Sequence, residues 1–127
     1  MIIIGEKING TIPRVGKAIA EKDDAYIREL AVKQAEAGAH YIDVCASVAP
    51  ELEEKTLIWL MDIVQDAVDT PLCIDSPNAR MIEKVLKHAK KPGIINSVSA
   101  EGDKMEVIYP LMKGTEWQGI ALTCDNK

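Results

Sequence analysis

Polar residues end two short strand-like runs of this sequence. The stretch "LCIDS" at 72–76 has Asp75 followed by Ser, and "GIINS" at 93–97 has Asn96 followed by Ser97. A carboxylate can accept two parallel N–H donors together, whereas an Asn side chain offers both a carbonyl acceptor and an amide donor. The two residues could therefore recognise a flat ligand edge that mixes donors and acceptors.

The same pattern recurs at other aliphatic runs. Glu6 follows "IIIG", Asp43 lies in "HYIDVC", and the pair Asp125 and Asn126 follows "QGIALTC". An Asp or Asn after a strand can also cap the next helix or form a local turn. Because these positions all coincide with expected strand ends, we expect them to contribute to one shared site.

The elements that must position these residues alternate along the chain. Short aliphatic runs fit strands buried on both faces, at residues 2–5, 40–45, 71–75, 93–97 and 118–124. Apolar residues three and four apart predict helices over 24–37, 52–68 and 78–89, with a weaker pattern over 104–113. The first of these helices is expected to begin at a cap on Asp23 or Asp24 and to end at Gly38.

The ends of the later helices carry their own signals. Ser76 is a candidate N-cap, with Pro77 at the first helical position. The acids Glu51, Glu53 and Glu54 fall in the first turn of the preceding helix, where the helix dipole favours negative charge. These signals predict that both helices begin just after a strand.

Strands that alternate with helices predict a parallel sheet with helical crossovers. A doubly wound nucleotide-binding fold would carry G-x-G-x-x-G after its first strand, and "GEKINGTIP" does not match. A (β/α)8 barrel builds its site at the C-terminal ends of its strands, which fits the polar residues above. Because a complete barrel needs about 250 residues, we expect residues 1–127 to form one partial domain of an α/β barrel.

Composition excludes several classes of function. Lys and Arg number 15 against 20 Asp and Glu, a net charge of −5, and no basic run would track a phosphate backbone. The start "MIIIGEKING" lacks a signal-peptide core, and no stretch approaches the roughly 18 apolar residues of a membrane span. We therefore expect a cytoplasmic protein with neither nucleic acid nor membrane as a partner.

Three cysteines raise the question of a metal. Cys45, Cys73 and Cys124 all lie near expected strand ends, and thiolates bind zinc. They include no C-x-x-C pair, and an odd number does not form a disulfide framework. We therefore expect free thiols and no metal site. His40 and His88 have no partner motif and are expected at the surface or in supporting positions.

Five motifs spread in order along the chain carry a resemblance. "IIIGEKING", "YIDVCAS", "LCIDS", "IINSVSAE" and "ALTCDNK" together resemble the N-terminal half of the pterin-binding methyltransferases that move a methyl group between tetrahydrofolate and a corrinoid protein. The wider superfamily includes dihydropteroate synthase and the folate module of cobalamin-dependent methionine synthase. Dihydropteroate synthases open with a stretch like Asn-Val-Thr-Pro-Asp-Ser-Phe, from which "GEKINGTIP" departs, so the motifs favour the methyltransferase branch.

The resemblance implies where a ligand binds. In such a barrel the pterin lies at the mouth, held by the Asp of the third strand and the Asn of the fourth, which are Asp75 and Asn96 here. The pyrimidine edge of a pterin carries an exocyclic amine beside a ring N–H, which a carboxylate can accept together. The wider set of expected folate contacts adds Asp43, Asn126, Glu6 and Ser97. Related methyltransferases carry Asn where this chain has Cys45, which leaves the role of that position open.

The resemblance also implies the reaction. A methyl group would move between N5 of tetrahydrofolate, or of methyltetrahydrofolate, and the cobalt of a corrinoid carried by a partner protein, in a direction left open. The Asn that serves N5 and a further pterin-binding Asp are expected beyond residue 127, so no catalytic residue is named here. A homodimer of the whole barrel is expected. The alternatives are an enzyme like dihydropteroate synthase and a module that binds pterin or folate without catalysis.

Overall fold

The computed structural model of the chain describes residues 1–99 and 115–122, and for residues 97–99 and 120–122 it describes the backbone. The strands of this part of the chain are β1 (Ile4–Asn9), β2 (Tyr41–Cys45), β3 (Leu72–Asp75), β4 (Ile94–Ser99) and β5 (Gln118–Leu122). Its helices are α1 (Pro13–Glu21), α2 (Asp24–Glu36), α3 (Pro50–Ala67) and α4 (Ala79–Leu86).

The strands form one parallel sheet in the order β1-β2-β3-β4-β5. Each helix contacts the next one along the chain, α1 with α2, α2 with α3, and α3 with α4. A sequential strand order with right-handed crossovers places the helices in one layer, whereas a doubly wound sheet reverses its order and carries helices on both faces. The predicted α/β class is confirmed, and the order is that of consecutive strands of a (β/α)8 barrel.

The core lies between the helices and one face of the sheet, which we call the outer face. Its strand residues are wholly buried and aliphatic: Ile8, Ile42, Val44, Ile74 and Ile95. The helices contribute Ile27, Ala31, Leu57, Leu60, Met61, Val64, Ile82 and Val85. This packing fixes the strands relative to one another and so positions whatever the opposite, inner face carries.

The predicted bounds of β1 were wrong, whereas those of the second and third strands were confirmed to within a residue. Residues 2–5 were expected, but the strand runs over Ile4–Asn9. Gly5 pairs with Ile42 and Ile8 pairs with Val44, so β1 contains one residue more than β2 between these pairs. This bulge interrupts the alternation of apolar and polar residues, which explains why the strand could not be followed past Gly5.

Two helices precede β2, although the sequence pattern predicted one. Helix α1 was missed, yet Pro13 at its first position and the buried Val15, Ala18 and Ile19 at helical spacing were available as signals. The predicted cap of α2 is confirmed, because Asp23 Oδ1 accepts a hydrogen bond from Tyr26 N at 3.2 Å.

The predicted start of α4 was wrong. Asn78 caps this helix rather than Ser76, since Asn78 Oδ1 accepts from Arg80 N at 3.0 Å and from Met81 N at 3.4 Å. Ser and Asn are comparable caps, so the local sequence could not choose between them. The predicted helix over 104–113 lies outside the described residues. Within the described part, no helix has the length and apolarity to cross a membrane.

Candidate functional site

The inner face of the sheet carries the polar residues in two rows. Residues in register on adjacent parallel strands share a face. The upper row contains Asn9, Cys45, Asp75 and Asn96. The lower row contains Asp43, Cys73 and Ile94. Strands β2, β3 and β4 therefore each contribute two inner residues, spaced two apart along the chain.

Asp43, Asp75 and Asn96 form a hydrogen-bonded group that we call the carboxylate–amide cluster. Asn96 Nδ2 donates to Asp43 Oδ2 at 3.0 Å and, more weakly, to Asp75 Oδ2 at 3.4 Å. The amide nitrogen therefore joins carboxyl groups from two neighbouring strands. Oδ1 of Asn96 is its acceptor atom for a ligand, beside the remaining acceptor positions of the two carboxyl groups.

Burial changes the charge behaviour of the cluster. Asp43 is 1% exposed, and burial is the largest cause of the rise of its pKa from 3.8 to about 7. The charge of Asp75 and a hydrogen bond with Asp75 also contribute to this rise, whereas hydrogen bonds from Asn96 and Cys73 oppose it. Asp43 can therefore gain or lose a proton near neutral pH.

The two thiols of the inner face are neutral. Burial, followed by the charges of Asp75 and Asp43, raises the pKa of Cys45 to about 12. Burial and Asp43 raise the pKa of the fully buried Cys73 far above its ordinary value. The predicted free thiols are confirmed for these two residues, and Cys124 lies outside the described residues. Among residues 1–99 and 115–122, no three His, Cys, Asp or Glu side chains are grouped to hold a metal.

Asp43, Asn96 and Glu6 lie within strands rather than at their predicted ends, and Asn96 is the third of the six residues of β4. Asp43 is the third of the five residues of β2, although its side chain belongs to the cluster. Glu6 lies inside β1 and is exposed, because the strand continues to Asn9. Its charge nevertheless contributes to the raised pKa of Cys73, which places Glu6 near the lower row.

The remaining candidate residues are Ser97, the pair Asp125 and Asn126, and the two histidines. The backbone of Ser97 lies in β4, directly after Asn96. Asn126 and its neighbour Asp125 lie outside the described residues. His88 is exposed, and His40 Nδ1 accepts a hydrogen bond from Ile3 N at 2.9 Å. His40 therefore anchors the chain just before β1.

Asn9 is an upper-row residue that sequence reasoning missed. It is the last residue of β1, and its Oδ1 accepts hydrogen bonds from Thr11 N at 2.9 Å and Thr11 Oγ1 at 2.7 Å. The dipeptide Asn-Gly is a strong turn signal and could have located this strand end. Asn9 shapes the turn that leaves the sheet beside Cys45.

The loops after β1 and β2 pack tightly against each other. Gly10 N donates to Cys45 O at 3.0 Å, and a Cβ on Gly10 would lie 2.1 Å from Ala46 O. Glycine is therefore required at this position. Ser47, two residues after Cys45, has a φ of 50°, an uncommon conformation for a residue with a side chain. The backbone at this end of the sheet is thus held by direct contact.

Sequence reasoning also missed a buried polar pair beside the cluster. Ser76 Oγ donates to Glu53 Oε2 at 2.6 Å, and both residues are buried. Glu53 was predicted only as an acid that the helix dipole stabilises, and Ser76 was predicted only as a helix cap. No local pattern marks such a contact, because the two residues are 23 positions apart.

Two comparisons with known proteins found matches that extend over nearly the whole chain. The model of a family described as "Pterin binding enzyme" matches residues 7–126. The chain is also 60% identical over 128 residues to a protein named methylcorrinoid:tetrahydrofolate methyltransferase, from Eubacterium limosum. That alignment covers 99% of this chain and 47% of the relative, so the chain spans about half the length of the curated relative that it matches.

Proposed function

Because this chain belongs to the pterin-binding enzyme family, we propose that its carboxylate–amide cluster binds the pterin ring of a folate. The observation that carries this proposal is the hydrogen bonding of Asn96 to Asp43 and Asp75 on the inner face. The pyrimidine edge of a pterin presents an exocyclic amine beside a ring N–H, and paired donors of this kind match a carboxylate. Asp75 would accept these two donors.

The reaction that we propose is methyl transfer from a methylcorrinoid to tetrahydrofolate. The name of the relative states this pair of substrates and this direction, and the identity of 60% extends over nearly the whole chain. N5 would form a bond to the methyl carbon and lose its proton, while the electron pair of the broken methyl–cobalt bond stays on cobalt. The part played by the cluster is to position the pterin, and no catalytic residue is assigned among these 127 residues.

The full set of proposed folate contacts keeps all the predicted residues. Asn96 would accept through Oδ1 because its amide nitrogen already binds the two carboxyl groups. Asp43 would support Asp75 and, with a pKa of about 7, would adjust its protonation to the bound ring. Glu6, from within β1, Ser97 and Asn126 would complete the set.

We propose that the five strands belong to a closed (β/α)8 barrel. The sequential strand order and the single helix layer support this proposal. In a closed barrel the last strand and helix lie beside the first strand. Two grooves border β1 and α2, and Lys7, Ile12 and Gln34 line both of them. Such a closure would cover the grooves and would enclose the cluster.

The partners that we propose follow from the same function. A corrinoid protein would deliver the methyl group, and the whole barrel would form a homodimer in the cytoplasm. The net charge of −5 supports the expectation that nucleic acid is not a partner. Sedimentation of the purified protein, alone and with a corrinoid protein, tests both associations.

The experiment that tests the function is a methyl-transfer assay with the intact protein. Methylcobalamin and tetrahydrofolate are the substrates in one direction, and methyltetrahydrofolate with cob(I)alamin in the other. We expect methyl transfer that Asp75→Asn reduces and that Asp69→Asn, at an exposed position after α3, leaves unchanged.

The same preparation separates the alternatives. Folate binding without methyl transfer in either direction would favour a binding module. Condensation of a pterin pyrophosphate with p-aminobenzoate would favour a dihydropteroate synthase. Absence of folate binding would contradict the proposed function.

A further inference from the structure

The buried pair Glu53 and Ser76 lies outside the carboxylate–amide cluster, yet Ser76 follows Asp75 directly in the chain. We propose that Glu53 is a positioning residue, which holds Ser76 and thereby fixes the direction of the Asp75 side chain. The expected effect of Glu53 on folate binding rests on the proposed function. The expected effect of Glu53 on the geometry of Asp75 does not depend on any ligand.

The contact itself is short and shielded from water. Ser76 Oγ donates to Glu53 Oε2 at 2.6 Å, and the two residues are 2% and 7% exposed. Hydrogen bonds to a carboxylate are shorter and stronger than those between neutral groups. Glu53 lies in the first turn of α3, where the helix dipole stabilises its negative charge. The acceptor is therefore held in place by a helix that packs on the sheet.

Ser76 is fixed by two further hydrogen bonds. Its backbone N donates to Asn96 O at 3.1 Å, and its Oγ accepts from Asn78 N at 3.1 Å. Asn78 in turn caps α4. The residue that follows Asp75 is thus tied to β4, to α3 and to the start of α4. Because the peptide group after Asp75 cannot rotate freely, the side chain of Asp75 is held beside Asn96.

Removal of the Glu53 acceptor would release this restraint. The Ser76 hydroxyl would remain buried without its carboxylate partner, which is costly, and Asn78 O at 3.5 Å is the nearest alternative acceptor. To shorten this contact, the backbone of Ser76 would shift toward Asn78 and would displace the end of β3. The carboxyl group of Asp75 would then move relative to both Asn96 and Asp43.

The test uses three substitutions of Glu53 in the intact protein. Glu53→Ala removes the acceptor, Glu53→Asp withdraws it by one methylene while keeping the charge, and Glu53→Gln keeps an acceptor oxygen without the charge. Glu54→Ala is the matched control, because Glu54 is an exposed acid in the same turn of α3. The affinity for tetrahydrofolate is measured by calorimetry, and the pKa of Asp43 by carbon NMR of its carboxyl group.

We expect Glu53→Ala and Glu53→Asp to weaken tetrahydrofolate binding by about tenfold, the equivalent of one lost hydrogen bond. Both should also lower the pKa of Asp43, because the charge of Asp75 that raises it would lie farther away. Glu53→Gln and Glu54→Ala should stay within about twofold in affinity and leave the pKa of Asp43 in place. Glu53→Gln also controls for loss of the Glu53 charge.

Two results separate this inference from the proposed function. If Glu53→Ala and Glu53→Asp lower the melting temperature but change neither the affinity nor the pKa of Asp43, the pair only stabilises the fold and the inference is overturned. If the wild-type protein binds no folate, yet Glu53→Ala lowers the pKa of Asp43 and Glu53→Gln does not, the positioning role stands and the proposed function fails.

Discussion

The outer face of the sheet and the lower row of its inner face are equally buried but carry different chemistry, whereas the upper row is half-buried. On β2, Val44 of the outer face is 0% exposed and Asp43 of the inner face is 1% exposed. On β3, the wholly buried Ile74 lies between Cys73 and Asp75. Burial alone therefore does not distinguish Asp43 from the residues that hold the fold. The faces differ in whether each buried group is satisfied by apolar contact or by a specific hydrogen bond.

This difference has an energetic consequence. Burying an aliphatic side chain stabilises a fold by about 1.5 to 3 kcal/mol, without regard to direction. Burying a carboxyl group costs free energy unless hydrogen bonds or a bound proton compensate. Asp43 has both, in Asn96 and in its raised pKa. We infer that the outer face stabilises the sheet, whereas the inner face carries the polar groups of the proposed site.

The largest expected effect is on the outer face. Ile74→Ala removes a wholly buried side chain under the helices and should lower the free energy of unfolding by about 2 to 5 kcal/mol. Urea denaturation of the intact protein measures the change. Ile2→Ala, at a side chain that is 61% exposed, is the control and should cost less than about 0.5 kcal/mol. Equal losses for the two variants would remove the distinction between core and surface.

The next effect should come from the proton on Asp43. Its pKa rises from 3.8 to about 7 on folding, so the folded state binds this proton more tightly than the unfolded state. The bound proton contributes fully to the free energy of unfolding below pH 4, and this contribution is lost as the pH rises to about 7. The loss is at most ~4 kcal/mol, at 1.36 kcal/mol per pK unit.

Asp43→Asn isolates this contribution. The free energy of unfolding of the variant, relative to that of the wild type, should increase as the pH rises from 4 to 7 and then stay level. Urea denaturation at each pH gives this difference. A difference that is constant over the range would show that Asp43 titrates alike in the folded and unfolded states.

A smaller effect is expected at Asp75, and it should appear in binding rather than in stability. Asp75→Asn keeps the size of the side chain but places an amide where two pterin donors need acceptors. Tetrahydrofolate binding should weaken by about 1.5 to 3 kcal/mol, the value of a hydrogen bond to a charged group. Titration calorimetry measures this change, with Asp69→Asn as the exposed control. Unchanged affinity in Asp75→Asn would exclude Asp75 from the site.

The smallest effect is expected at Cys45. The thiol is neutral because its pKa is about 12, so without a bound metal it is a poor nucleophile near pH 7. Cys45→Ser should change folate affinity by less than about 0.5 kcal/mol and should not change the zinc content of the purified protein. One equivalent of zinc in the wild type that disappears in the variant would contradict this interpretation.

Local patterns predicted the strands of the site but not the whole of the first strand. The runs around Ile74 and Ile95 are β-branched and short, and both form strands where expected. Glu6 was misplaced because the bulge between Gly5 and Ile8 depends on pairing with β2, which no local pattern reports. The missed Asn9 follows from the same error, since a strand thought to end at Gly5 cannot contribute residue 9 to the upper row.

The choice between two good caps also lay beyond the local sequence. Ser76 and Asn78 both have the side chains of N-cap residues, yet the hydroxyl of Ser76 is taken by Glu53 and only Asn78 caps α4. Glu53 was predicted, together with Glu51 and Glu54, only as an acid in the first turn of this helix. Only the packing of α3 against the loop after β3 buries one of the three.

The sequence by itself determined the alternation of strands and helices, the aliphatic outer face, and the presence of Asp75 and Asn96 on adjacent strands. Periods of two and of about 3.6 residues encode these features locally. The tertiary structure alone decided that Asn96 binds Asp43, 53 positions away, and that the pKa of Asp43 rises to about 7. Cross-strand register and burial arise only when distant segments pack, and the free energy of a buried carboxyl group depends on those neighbours rather than on its own segment.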